Sequence, residues 1–197
     1  MTKENKRQKF SAENQKAAKN KTMVLSGLIG AFFVILVAGF FLFYSPNNAP
    51  VSAHGGTYVV DEKPSYRGQM IPMSDIEYVQ EPEGIVLSLQ EVEAKKFVYF
   101  EHEQEDRALP LSVFVAPNGR VVAAVSVCEP CGSNRFTIAD DDLVCNACTT
   151  RWDLNTLKGK MGACMNYPPD ELPYVVDGDR LIIDAEAANN WNTRDYS

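Results

Sequence analysis

Residues 109–148 read LPLSVFVAPNGRVVAAVSVCEPCGSNRFTIADDDLVCNAC, and this stretch decides what kind of domain the chain builds. Its first half holds two apolar, β-branched runs on either side of Pro117-Asn118-Gly119. Asn-Gly is a leading hairpin signal because both residues tolerate positive φ. A strand hairpin is therefore expected to run straight into Cys128. The second half holds two Cys-x-x-Cys pairs, Cys128/Cys131 and Cys145/Cys148, separated by thirteen residues. Two residues between cysteines allow a tight turn to aim both sulfurs at one ion while backbone N–H groups face the thiolates. Two such knuckles brought together complete a tetrahedral four-sulfur site, which suits zinc, mononuclear iron or an iron–sulfur cluster. The polar run Asp140-Asp141-Asp142 supplies the turn of a hairpin that closes the gap. Gly132 relieves backbone crowding after the first knuckle, and Thr149 stands less comfortably at the matching place of the second. The thirteen-residue gap is slightly below the usual zinc spacing of about 15–20.

Outward from this stretch the β signals continue. Gly84–Leu89 alternates apolar and polar residues, Lys96–Glu101 is aromatic and β-branched, and Tyr174–Val176 and Leu181–Ile183 flank Asp177-Gly178 as a late hairpin. Helical periodicity is weak, with one short turn expected over Glu186–Trp191. The expectation is a mostly β fold, a small antiparallel domain carrying a two-knuckle metal site, beginning near Gln69.

The beginning of the chain differs in kind. Residues 1–22 carry seven Lys/Arg against two Glu, a net of +5, so the remainder carries −12 within a total of −7. Met23–Tyr44 contains no charge over 22 residues, enough helix to cross a hydrocarbon core of roughly 30 Å. The expected organisation is a cytoplasmic basic tail (1–22), a single transmembrane helix (23–44), a linker rich in Pro, Gly, Ser and Asn (45–68), and an extracytoplasmic domain (69–197). A cleaved signal peptide is the rival reading, with Val51-Ser52-Ala53 as its cleavage site, although signal h-regions run only about 7–15 residues. Lipid is thus an expected partner. The acidic ectodomain argues against nucleic acid, which needs basic patches.

The fifth cysteine, Cys164, sits in Met161-Gly162-Ala163-Cys164-Met165. Soft ligands at this spacing suit copper or an alternative ligand to the centre, and the plainer reading is a packing residue over it. Redox pairs of thioredoxin type and structural disulfides remain alternatives for the two CxxC pairs, although neither pair opens an evident helix. His54 and His102 stand in no catalytic arrangement, His102 being expected at a solvated strand end. The acidic runs Glu101–Asp106 and Asp140–Asp142 read as solvated turns.

Val125-Ser126-Val127-Cys128-Glu129-Pro130-Cys131-Gly132, then Leu143-Val144-Cys145-Asn146-Ala147-Cys148, then Gly162-Ala163-Cys164 resemble the FtrD-like family of membrane iron–sulfur-containing proteins. The resemblance covers about residues 70–185. It implies an outward-facing iron–sulfur or related centre held by Cys128, Cys131, Cys145 and Cys148, often beside ferrous-iron permease components. Members usually show Gly-Gly-Cys-Asn-Pro where this chain has Gly162-Ala163-Cys164-Met165-Asn166, and many relatives are polytopic where this chain has one span. A weaker likeness is to the second half of a Rieske domain, through Cys148, Arg151-Trp152-Asp153, Pro168-Pro169, Leu172-Pro173-Tyr174 and Asp177-Gly178. Rieske centres need two histidine ligands, and no histidine lies within 128–164. Two functions are expected on these grounds. One is an electron-transfer or metal-handling accessory to a membrane partner such as an iron permease; the other is an assembly module around a structural zinc.

Overall fold

The computed structural model describes residues 56–104 and 107–194. The expected basic tail, the apolar span and linker residues 45–55, with His54, lie outside the described residues. Among the described residues no helix is long and apolar enough to cross a membrane.

Among the described residues, three sheets form the domain. The middle one has the order β2 (Ser74–Asp75), β5 (Phe97–Glu103), β6 (Ala108–Val115), β7 (Val121–Val125); its pairs are antiparallel except for β2 with β5. It is buried on both faces because successive side chains point to opposite sides of a strand. Val98, Phe100, Val113, Val115, Val121 and Ala123 face one core, which is closed by the sheet β12 (Tyr174–Asp177), β13 (Arg180–Ile183), β4 (Gly84–Ser88), β3 (Val79–Glu81). Phe97, Phe114, Val122 and Ala124 face a second core. That one is closed by the sheet β1 (Met70–Pro72), β8 (Phe136–Ala139), β9 (Asp142–Cys145), β10 (Arg151–Asp153), β11 (Gly159–Met161). Strands buried on both sides read as near-continuous apolar runs, which is why Val121–Val125 contains no polar residue. Trp152 is fully buried in the second core, its ring edge-on to Phe136.

The expected hairpins are present, with one difference of detail. In the β6–β7 turn only Gly119 takes positive φ (90°), whereas Asn118 does not. Pro117 pre-sets φ near −65° for the second position of a type I turn, so the turn follows the proline and not the Asn-Gly pair. The late hairpin aligns Tyr174 with Ile183, and Asp140 (φ 54°) turns β8 into β9.

Several expectations are corrected. The first is the near-absence of helix, since α1 (Leu89–Lys95) forms at the end of β4. Two turns are too short to register as a period, but Ser88 caps the helix by accepting a bond from the Glu91 N–H, and Lys95 pairs with Glu91. Helix α2 (Ala185–Asn189) overlaps the expected terminal turn. The second is His102, which is not at a solvated end, being only 5% exposed. It alternates inward from Glu101 and Glu103 on β5, its Nε2 lies 3.2 Å from Asn189 Oδ1 and its ring lies edge-on to Tyr78. Likewise Asp142 is a strand residue half-buried between Arg151 and Lys160.

The third correction concerns the linker. Its described part, residues 56–68, is packed on the domain. Val60 N–H donates to Gly119 O (2.9 Å), Tyr58 O accepts from Val121 N–H (3.0 Å), and buried Tyr66 donates its hydroxyl to Val115 O (2.6 Å). The Pro/Gly/Ser composition hid Tyr58, Val60 and Tyr66, which anchor the segment. Tyr66→Phe should cost about 1 kcal/mol and Tyr66→Ala about 3 kcal/mol or more, read as lower urea midpoints at unchanged slope. Changes within about 0.5 kcal/mol for both would mean that this segment is a loose tether.

Candidate metal centre

The second core ends in the cysteines. Cys128, Cys145, Cys148 and Cys164 all pack at its edge. After β7 the chain turns at Cys128–Ser133, and after β9 it turns again at Cys145–Thr150; the two turns repeat one backbone pattern. In the first, Cys128 N–H donates to Ser133 O (2.7 Å) and Gly132 N–H to Cys128 O (2.8 Å). In the second, Cys145 N–H donates to Thr150 O and Thr149 N–H to Cys145 O, both at 3.0 Å. The closing residue is left-handed in each, Gly132 at φ 69° and Thr149 at φ 58°. Glycine adopts this conformation freely, whereas a β-branched residue does so under strain of about 1–2 kcal/mol. The β8–β9 hairpin sets Cys145 opposite Phe136, and Asn146 N–H donates to Arg135 O (3.0 Å). The hairpin thereby folds the second knuckle onto the first.

The four sulfurs of Cys128, Cys131, Cys145 and Cys148 lie within 4.8 Å of one another. Cys131 Sγ lies 3.6 Å from Cys145 Sγ, and Cys128 Sγ lies 3.8 Å from Cys148 Sγ. A tetrahedral ion with thiolates at about 2.3 Å sets its ligand sulfurs about 3.8 Å apart. The group therefore fits one four-sulfur ion directly. The all-thiolate donor chemistry also fits an iron–sulfur cluster, for which the knuckles must stand farther apart to admit the bridging sulfides. Cys128 and Cys145 are buried, Cys148 is half-buried and Cys131 is exposed, so the centre reaches the surface on one side. The knuckle tips there include Pro130, Gly132, Asn146 and Thr149, all exposed and uncharged.

Burial, then the neighbouring thiols and the Cys145 charge, push the Cys128 thiol well up. Burial also raises Cys145, against hydrogen bonds from the Cys148 N–H, the Ser133 hydroxyl and the Ala147 N–H. Burial pushes Cys148 upward too, but hydrogen bonds from the Thr150 hydroxyl and N–H and from neighbouring thiols outweigh it and bring that thiol down to about 6. Four thiolates this close would repel one another, and a cation held among them would offset that repulsion.

Cys164 stands outside the four-sulfur group. It is buried, with its Sγ 3.8 Å from Cys148 Sγ. Thr150, also buried, joins the two: its Oγ1 accepts from Cys164 N–H (3.2 Å) and lies 3.2 Å from Cys148 Sγ. Gly162 makes room for this, since a Cβ there would come within 2.4 Å of Thr150 Oγ1. Cys164 faces inward while Met161 and Met165 lie on the surface, so the soft ligands do not form one inward set.

One contributor escapes a reading of the sequence. Glu129, inside the first CxxC, has a fully buried carboxylate. Arg194 clamps it through its own N–H (2.7 Å) and Nε (2.6 Å), and also reaches Pro168 O and Asp170. The signal was an acidic residue inside a cysteine turn, but its partner lies 65 residues away.

A family model described as "Membrane iron-sulfur containing protein FtrD-like" matches residues 92–194, just over half of the chain. The chain belongs to the FtrD-like family. No curated protein matches this FtrD-like chain. Among solved structures, the plasma membrane Rieske protein PetC3 of the cyanobacterium Synechocystis PCC 6803 is 16% identical, covering 50% of this chain and 95% of that one, with a TM-score of 0.39. The ferredoxin of carbazole 1,9a-dioxygenase from Nocardioides aromaticivorans IC177 is 18% identical, covering 55% and 97%, also at 0.39. The Sphingomonas yanoikuyae B1 ferredoxin is 18% identical, covering 44% and 83%, at 0.35. Likeness this slight assigns neither ligands nor function to the FtrD-like chain.

Arg194→Gln leaves the Glu129 carboxylate buried without its cation. That should cost about 3 kcal/mol and weaken metal retention at the first knuckle. Chelator competition on purified protein reads this directly, and unchanged retention would separate the clamp from the centre.

Proposed function

We propose that this FtrD-like protein is anchored in a membrane with its domain on the extracytoplasmic side, and that Cys128, Cys131, Cys145 and Cys148 hold an iron–sulfur centre serving electron transfer or iron handling for a membrane partner such as an iron permease. The observation that carries the reading is the four-sulfur group within 4.8 Å in a member of a membrane iron–sulfur family. Iron held by thiolates supplies one-electron chemistry. The chain's own residues supply the rest. Cys131 brings one ligand to the surface, which shortens the distance to a docked partner. The uncharged tips around it let a partner dock without burying unpaired charge, a costly step. Brief encounters of this kind use small interfaces, below about 1,200 Å².

A second reading is a structural zinc in a non-redox assembly module. The 3.6 and 3.8 Å sulfur pairs favour it, because they match a single tetrahedral ion. Copper has less support, since the exposed methionines stand apart from inward-facing Cys164.

The full-length chain, purified anaerobically in detergent and titrated with dithionite, should be brown, contain iron and bleach on reduction with an EPR signal. Cys128→Ser and Cys148→Ser should each lose most of the metal, while Cys164→Ser retains it. A colourless, zinc-loaded protein with no reducible centre would overturn the electron-transfer reading and leave the structural one.

A further inference from the structure

Cys164 is the one cysteine that the four-sulfur group does not use. Its sulfur is neither remote nor randomly placed. It lies 3.8 Å from Cys148 Sγ, and Thr150 binds both residues, holding the thiol of one and the backbone N–H of the other through a single oxygen. Gly162 has no side chain where one would break this arrangement. A packing residue over the centre needs no such bracket, and valine or alanine would fill the same space without a reactive thiol.

The sulfur pairs are not equivalent. Cys128 with Cys148 and Cys131 with Cys145 face one another across the space that a metal would fill, so an ion between them prevents their closing to a disulfide's roughly 2.05 Å. Cys164 approaches Cys148 without belonging to that group, so its path to Cys148 does not require the centre to be emptied first. Cys148 is also half-buried, not sealed, so a small oxidant reaches it.

We infer that Cys148 and Cys164 form a thiol–disulfide pair that withdraws Cys148 from the metal site when oxidised. The inference rests on the four cysteines being the metal ligands. The co-reactant is a low-molecular-weight disulfide, R–S–S–R. The Cys148 thiolate attacks one of its sulfurs, forming a mixed disulfide and releasing the first R–S⁻. Cys164 gives its proton to solvent and attacks the Cys148 sulfur, releasing the second R–S⁻. One disulfide is thus reduced to two thiols while two protein thiols become a disulfide. Three thiolates remain at the centre, and the affinity for metal falls. Reduction by an added dithiol returns Cys148 to the site. The centre then holds its metal under reducing conditions and releases it under oxidising ones.

The test uses the full-length, metal-loaded chain in detergent, exposed to oxidised glutathione. Metal release is followed with a coloured chelator, and disulfides are mapped by peptide mass spectrometry on the same samples. The expected result is a Cys148–Cys164 link appearing in step with release, reversal by dithiothreitol, and release about ten-fold slower in Cys164→Ser. Mapping on the unmodified chain decides the pairing even where the variant fails to fold. Cys164 also interacts with the Cys128 thiol, so a link joining Cys128 to Cys164, one joining Cys128 to Cys148 or Cys131 to Cys145, or equal release from Cys164→Ser, would overturn the proposal. If the chain as isolated binds no metal, the metal-centre reading fails, while the mapped pairing still supports or refutes the Cys148–Cys164 pair.

Discussion

Four sulfur atoms come within 4.8 Å of one another while the first cysteine of each turn keeps its backbone N–H and C=O hydrogen-bonded. The two cysteine turns solve this with one pattern used twice. In each, the first cysteine gives its N–H to the residue five positions on, takes an N–H from the residue four positions on, and needs a left-handed residue to close. Glycine meets that requirement at 132. Threonine meets it at 149 under strain, and its persistence there points to a turn held closed by its surroundings. Tight turns risk burying unpaired polar groups, and these bonds satisfy the cysteine backbones from within the turns themselves.

The rest of the domain sets those turns against each other. The β6–β7 hairpin is anchored in a sheet buried on both faces and delivers the first turn. The β8–β9 hairpin delivers the second, with Phe136 and Trp152 packed beneath it. Segment 56–68 buttresses the first hairpin through Tyr66, and Arg194 ties the end of the described chain to Glu129 inside the first turn. The four-sulfur group therefore draws on residues from most of the domain's length, although its cysteines span only twenty-one positions, Cys128 to Cys148.

What was legible in the sequence was local. The doubled CxxC, the Asp140-Asp141 turn between its halves and the strand alternation before Cys128 all declare themselves within a few residues, and the sulfur grouping follows from them. What stayed hidden was set by distance or brevity. Helix α1 is two turns long, below the reach of any periodic signal, and only Ser88 with Glu91 marked it. The inward turn of His102 depends on which face of β5 meets α2, a tertiary matter. The Glu129–Arg194 clamp and the Tyr66–Val115 bond join positions 65 and 49 residues apart, and a composition rich in Pro and Gly concealed the second. Cys164 was visible as a fifth cysteine, but its bracket with Cys148 through Thr150 needed separate segments brought together.

The central claim is that two knuckles from one β domain make a single, all-sulfur centre. X-ray absorption at the metal edge of the full-length protein as isolated tests it most directly. The account predicts a first shell of four sulfurs at about 2.3 Å, with no nitrogen or oxygen, collapsing in Cys128→Ser. A shell containing nitrogen or oxygen ligands, or one unchanged by that substitution, would contradict it.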